Sequence, residues 1–372
     1  MVFGGLGGII ADRYFFPYLS TTKIFSKYGF LKKGAENITV INKTEQVMVK
    51  EETSISKITS QVASSVVNII SYKDNVQKLP VKNVSSEPMA KNGTGVIVTG
   101  DGLIMTYVSA INIPEHKYKI MTQDGNVYDA DLIGVDTYSN LAFLKANANN
   151  LPVVSLADSD SIRSGEKVIA VSNSLESYAN RYAGGLISDL NPTYNLAGLA
   201  LSSSEKLEGV YETDVDYSGY YIGGPVVDYT GQAVGIVGSI KKNNLESFFM
   251  IPSNKVKKVI DRAIKKELGM NPILGIYYLP ISKTYVIEKD LPVSYGALIH
   301  SDSGQQGLAI LANSPAQKAG LKLGDVITAV GNKQISDHDS LPDLLYSYKK
   351  GDKVDLQILR GGEKISVGVE LQ

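Results

Sequence analysis

Tyr217-Ser218-Gly219-Tyr220-Tyr221-Ile222-Gly223-Gly224-Pro225 runs straight into the apolar strand residues Val226-Val227-Asp228 and a turn at Thr230-Gly231. Two adjacent glycines and a proline lead into that strand. The residue delivered just before them is Ile222. Its side chain has no proton to lose and no lone pair to donate, so covalent acyl transfer cannot start there. The nearest serine hydroxyl, Ser218, lies four residues upstream, before the turn rather than at its tip.

Outward from this loop the sequence keeps a short-strand rhythm. Gly93–Val98, Gly102–Tyr107, Tyr118–Thr122, Val127–Val135, Leu141–Lys145, Lys167–Val171, Gly184–Leu190, Val210–Thr213 and Ala233–Ile240 are runs rich in Val, Ile and Tyr. Turn signals such as Asp124-Gly125-Asn126 separate them, and this spacing predicts a mainly β domain of two barrels. Ser54–Ser71 predicts a short helix leading into a strand, and Pro252–Leu268 an amphipathic helix closed by Gly269. Beyond it, Ser314-Pro315-Ala316 starts one short helix and Ser340–Tyr348 forms another. Val354–Leu359, Gly361-Gly362 and Ile365–Leu371 read as a hairpin. The expected organisation is a tail and linker over 1–53, a double-barrel domain over 54–268 and a smaller α+β domain over 269–372, a small sheet with two helices.

Composition narrows the chemistry. With 372 residues, Gly 35 and Pro 13, the chain suits a turn-rich multidomain protein. A formal net charge of -1 gives no electrostatic reason to expect nucleic acid. Cys 0 excludes disulfides, thiolate metal sites and a cysteine nucleophile; no metal and no cofactor are expected. Any imidazole mechanism must use His116, His300 or His338. Residues 1–11 are apolar and glycine-rich and lead to Tyr14-Phe15-Phe16 and Tyr18. Two readings stand open for them: the end of a membrane anchor with interfacial aromatics, or an apolar tail.

The order of these strings resembles the HtrA family (DegP, DegQ and DegS types) of trypsin-like serine proteases with a C-terminal PDZ domain. Gly93-Thr94-Gly95 with Asp101-Gly102-Leu103-Ile104-Met105-Thr106 is similar to the hairpin leading to the family's catalytic histidine. Asp136-Thr137-Tyr138-Ser139-Asn140-Leu141-Ala142 resembles the segment of its aspartate, Ile222-Gly223-Gly224-Pro225 that of its serine, and Phe248–Pro252 the flank of its specificity pocket. Gly320-Leu321 and Gly324-Asp325-Val326-Ile327 look like a PDZ core. Carried over by position, the histidine falls on Ser109, the aspartate on Asn140 and the serine on Ile222. The oxyanion glycine falls on Tyr220. The resemblance thus implies a trypsin-like double barrel followed by a PDZ domain, with a degenerate triad.

From this follow the expectations. Ser109 and Asn140 are expected to hydrogen-bond to each other as a structural pair, and Tyr220, Tyr221 and Ile222 to fill the former cleft. By resemblance, Ile273-Leu274-Gly275-Ile276 is the carboxylate-binding loop and strand of the PDZ domain, which adds a peptide C-terminus to a sheet edge. The expected function is a pseudoprotease that binds peptide or unfolded-protein segments as a quality-control or scaffold protein. It is expected to be extracytoplasmic, in a bacterial cell envelope, tethered by its N-terminus. The family's habit of trimerising makes a homo- or hetero-trimer a further expectation. The alternatives are an active endopeptidase using displaced residues such as His116 and Ser218, and a regulatory subunit of an active relative.

Overall fold

The computed structural model describes residues 15, 18, 55–73, 90–113, 116–174, 179–242, 245–289 and 293–372. The anchor-like stretch 1–11 lies outside the described residues. Six strands, β1 (Val66–Tyr72), β2 (Ala90–Thr99), β3 (Leu103–Tyr107), β4 (Lys117–Met121), β5 (Val127–Val135) and β6 (Leu141–Ala146), close an antiparallel barrel in the order β1-β2-β3-β6-β5-β4. Branched aliphatic side chains point inward and fill it with Ile69, Ile97, Ile104, Ile120 and Leu144, all fully buried.

A second barrel is built from β7 (Lys167–Ser174), β8 (Ala179–Asn195), β10 (Glu208–Thr213), β11 (Pro225–Val227), β12 (Ala233–Lys242) and β13 (Leu245–Pro252), in the order β10-β13-β12-β11-β7-β8. Val226, Val234, Val237 and Met250 form its centre. Closure removes open edges, which is why so many short strands remain stable together.

The helix after β13 spans Ser253–Ile264 and buries Val256, Val259 and Ala263 along one face. It ends earlier than Gly269. Lys266 takes the left-handed position at φ 60, and the Glu267 amide reaches back to the Arg262 carbonyl at 2.8 Å, a Schellman-type stop.

The C-terminal sheet contains β14 (Tyr277–Pro280), β15 (Ala297–Ile299), β16 (Val326–Val330), β17 (Lys333–Gln334), β18 (Lys353–Arg360) and β19 (Glu363–Glu370). Its order is β19-β18-β16-β15-β14, with one further strand outside β14 and β17 beside β16. The two anticipated helices are present, as Pro315–Lys318 and Leu341–Leu345. Ser314 caps the first from the position ahead of its proline; Ser340 and Asp343 form a reciprocal capping box on the second. Two further helices, Lys283–Lys289 and Gln306–Ala309, had no sequence signal strong enough to predict them.

The outermost strand of this sheet, β9 (Ser202–Ser203), comes from the β8–β10 connection of the second barrel. Side chains also bind the C-terminal sheet to the barrels. Tyr138 stacks on Tyr346 with centroids 4.2 Å apart, and the Arg262 guanidinium lies 4.2 Å over the Tyr346 ring. Arg262 also donates to the carbonyls of Tyr346 (2.6 Å) and Tyr348 (2.8 Å). Lys255 pairs with fully buried Asp343 at 2.5 Å, and Tyr138 donates to the same carboxylate.

Candidate functional site

The loop that opened the sequence is one 3-10 turn, Gly219–Tyr221, followed by Ile222 and the two glycines. The Tyr221 amide donates to Ser218 O (3.0 Å), Gly224 to Tyr221 O (2.9 Å) and Gly223 to Val237 O (2.8 Å). Gly223 sits at φ 83, and a Cβ there would lie 2.4 Å from Thr94 O and 2.3 Å from Thr106 Oγ1. Glycine is therefore required by both conformation and close approach to the first barrel. Thr94 Oγ1 fastens the turn further by donating to Tyr220 O at 2.7 Å.

Ile222 is 4% exposed. Tyr221 is also buried, edge-on to Tyr217 at 6.1 Å, whereas Tyr220 is 44% exposed with the Arg181 guanidinium 4.5 Å over its ring. Tyr221 and Ile222 are thus buried, while Tyr220, expected to fill with them, faces outward.

Ser109 lies in a 3-10 turn, Val108–Ala110, just after β3. Its Oγ is 3.1 Å from Ser239 Oγ, and Ser239 donates its proton to Glu246 Oε1 at 2.9 Å. With that proton committed, Ser109 is the donor of the first bond. Lys91 Nζ holds the Ser109 carbonyl at 2.6 Å. Burial, then the neighbouring Lys241 charge, lowers the Lys91 ammonium below the usual lysine range, and Glu246 opposes the shift.

Asn140 sits in the left-handed region at φ 59, a conformation asparagine tolerates. Its Nδ2 donates to Tyr107 OH and its Oδ1 accepts from Lys206 Nζ, each at 3.3 Å. The expected Ser109–Asn140 hydrogen bond is therefore replaced by separate partners. Ser109 is drawn to β12, and Asn140 is claimed by a phenol and an ammonium that nothing local in the sequence places beside it. Burial pushes the Tyr107 hydroxyl up to about 12, so it is a neutral phenol near pH 7. Ser109, Asn140 and Ile222 bring no group that exchanges a proton near neutrality.

His116 lines a surface cavity of about 540 Å³ beside Tyr72, Tyr118, Asp129 and Asp131, whose lining contains no serine. Ser218 instead stands at the N-cap position of the Gly219–Tyr221 turn. His300 lies 3.7 Å from Asp302. His338 lines a cavity of about 640 Å³ with Lys255, Lys258, Tyr211 and Asp339.

The second candidate site is the start of the C-terminal domain. Gly275 has φ 83, and a Cβ there would meet Ser314 Cβ at 2.4 Å. This conformation turns successive amides to one side, the arrangement that holds a carboxylate. The amides of Leu274 (3.1 Å) and Gly275 (2.8 Å) donate to Glu205 Oε1, and that of Ile276 to Ser204 Oγ (3.1 Å). Ile273, named with them from sequence, instead pairs its amide with Gln372 O at 2.7 Å.

Three acidic and basic residues missed from the sequence converge nearby. Glu205 is the carboxylate just described. Lys206 bonds Thr137 O (2.6 Å) and Asn140; burial lowers its ammonium, and Asp136 and Glu205 partly restore it. Glu208, buried between the barrel and the sheet, accepts from Tyr278 OH at 2.8 Å. Burial raises its carboxyl to about 7, while the hydrogen bonds from Tyr278 and Ser202 and the Lys255 charge pull the other way. Their only sequence signal is charge inside an otherwise serine-rich connection.

Known proteins share this plan. The Trypsin-like peptidase domain family matches residues 93–236 and the PDZ domain family residues 292–371. Mitochondrial serine protease HTRA2 of Drosophila virilis is 30% identical over 303 residues, covering 77% of this chain and 68% of that protein. Periplasmic serine endoprotease DegP of Escherichia coli K12 is 29% identical over 285 residues, 75% of this chain and 56% of the relative. Serine protease HTRA1 of Xenopus tropicalis is 29% identical over 321 residues, 85% and 66% respectively. The chain therefore spans between 56% and 66% of the length of several curated relatives it matches. Among solved structures, the HtrA-type protease AlgW with a tripeptide superposes with TM-score 0.65 at 24% identity, covering 85% of this chain and 96% of that one. AlgW with a decapeptide gives 0.61 at 22% identity, 85% and 97%; both likenesses establish the fold. With two closed barrels, a C-terminal PDZ domain and these relatives, the chain belongs to the HtrA family of trypsin-like serine proteases and their homologues.

Proposed function

We propose that this HtrA homologue has lost peptide hydrolysis and works as a peptide- or protein-binding scaffold of the cell envelope, engaging the free C-termini of other polypeptides through its PDZ domain. The observation that carries the catalytic half is the buried hydrocarbon of Ile222 ahead of the two glycines, in a loop that also carries Tyr220. Ser109 and Asn140 stand at the other two triad positions with no base or acid between them. The binding half is supported by the amides of Leu274, Gly275 and Ile276, which already hold a carboxylate and a hydroxyl. The tripeptide and decapeptide in the AlgW structures, and the periplasmic DegP among its relatives, are analogies in the same direction. Tethering rests on the apolar run 1–11 and the aromatics after it. Among the described residues no helix is long and apolar enough to cross a membrane. The domain limits 54–268 and 269–372 are part of the same proposal.

The full-length protein should leave reduced, unfolded casein uncleaved after overnight incubation, while retaining it in a pull-down. Cleavage that disappears in Ser239→Ala, Ser109→Ala or Ser218→Ala would overturn the catalytic half. Failure to bind any free C-terminus would overturn the binding half.

A further inference from the structure

The PDZ-type groove is already filled by the protein itself. Ser202 and Ser203 pair antiparallel with Tyr278 and Tyr277, making β9 an added strand on the open edge of β14. Beyond this pairing, the Ser204 amide donates to Ile276 O at 3.1 Å. The next residue, Glu205, places its carboxylate on the Leu274 and Gly275 amides. Ser203 and Ser204 hydroxyls donate to the same carboxylate at 3.0 and 2.6 Å.

Direction and chemistry both match an external ligand. A peptide that augments β14 antiparallel and runs toward the 274–276 loop ends with its terminal carboxylate where Glu205 now stands. We propose that Ser202-Ser203-Ser204-Glu205 is an internal ligand that holds this groove closed, with the Glu205 side chain in place of a C-terminal carboxylate. An incoming C-terminus binds only after displacing it. The proposal rests on the peptide-binding role given above and adds its regulation.

The connection is built to present this segment. Asn195 Oδ1 accepts from the amides of Ala197 (2.9 Å) and Ser203 (3.3 Å), and its Nδ2 donates to the carbonyls of Ser203 and Lys206. The Leu196 amide closes the loop base on Leu207 O at 2.9 Å. These bonds do not involve Glu205. Loss of the Glu205 side chain therefore empties the carboxylate position and loosens the segment's hold on β14, while the bonds that shape the loop remain.

The fraction of molecules with an open groove scales the affinity for an external peptide. Two measurements on the full-length protein test the closure: amide hydrogen exchange over 274–276, and titration with a fluorescein-labelled octapeptide ending in leucine, as free acid and as C-terminal amide. Glu205→Ala is expected to speed exchange at 274–276 at least about tenfold. It should tighten binding of the free acid by a similar factor, with the amide twin unaffected. Glu205→Gln, which keeps the volume and loses the charge, should move both readouts the same way by less, and covers the case in which Glu205→Ala folds poorly. Unchanged exchange at 274–276 in both variants overturns the closure, as does equal peptide affinity in wild type and variants. Faster exchange with no peptide bound by any of the proteins upholds the closure and overturns the peptide-binding role.

Discussion

At residue 222 the proposed loss of chemistry becomes a question of packing. Ile222 sits in a well-packed position, so Ile222→Ser both opens space and buries a hydroxyl, and should cost on the order of 3 kcal/mol in denaturant unfolding. The new hydroxyl should still give no casein cleavage, because Ser109 and Asn140 supply neither base nor orienting acid. Cleavage by that single variant would mean that a base reaches residue 222 from outside positions 109 and 140. Asn140 shows what local sequence withholds. Its place just ahead of Leu141-Ala142 was legible, but its partners Tyr107 and Lys206 are 33 and 66 residues away. The expected bond to Ser109 failed because long-range neighbours competed for both side chains.

Among the elements, the glycine loop and the barrels were readable because their signals are local: turn residues between β-branched runs, and two glycines before a strand. The loop's tightness gives a prediction. Gly223→Ala should destabilise the protein well beyond an ordinary surface change, since a Cβ would strike the Thr94 carbonyl at a positive φ. A melting temperature within a degree of wild type would contradict the described approach. The strand β9 was not readable. Three consecutive serines carry no strand alternation, and the pairing that makes them a strand comes from β14, about 75 residues later. The same applies to Glu205, whose role exists only because the PDZ loop meets it.

Across the whole molecule, the barrels and the PDZ sheet share a buried polar seam. Asp343 is fully buried; burial works against its ionisation, but Lys255, Lys258 and the hydrogen bonds from Lys255 and Ser340 outweigh it and hold the carboxyl below its usual range. Lys255→Ala leaves that charge unpaired and should cost roughly 3 kcal/mol or more, read as a lower midpoint in urea. Glu208 behaves oppositely. Its folded carboxyl titrates at about 7 against an ordinary value of 4.5, so the folded state binds the extra proton between these pH values. Its contribution to stability is thus complete below about 4.5 and is lost as pH rises through about 7. Urea midpoints should fall across that window, and Glu208→Gln should flatten the fall; a slope unchanged in the variant would assign it elsewhere.

The central claim is that this HtrA fold carries no working nucleophile. It is tested most directly by intact-mass spectrometry of the full-length protein after prolonged exposure to a fluorophosphonate. The account predicts an unmodified mass. A stoichiometric phosphonyl adduct on any serine, abolished by prior unfolding, would contradict it.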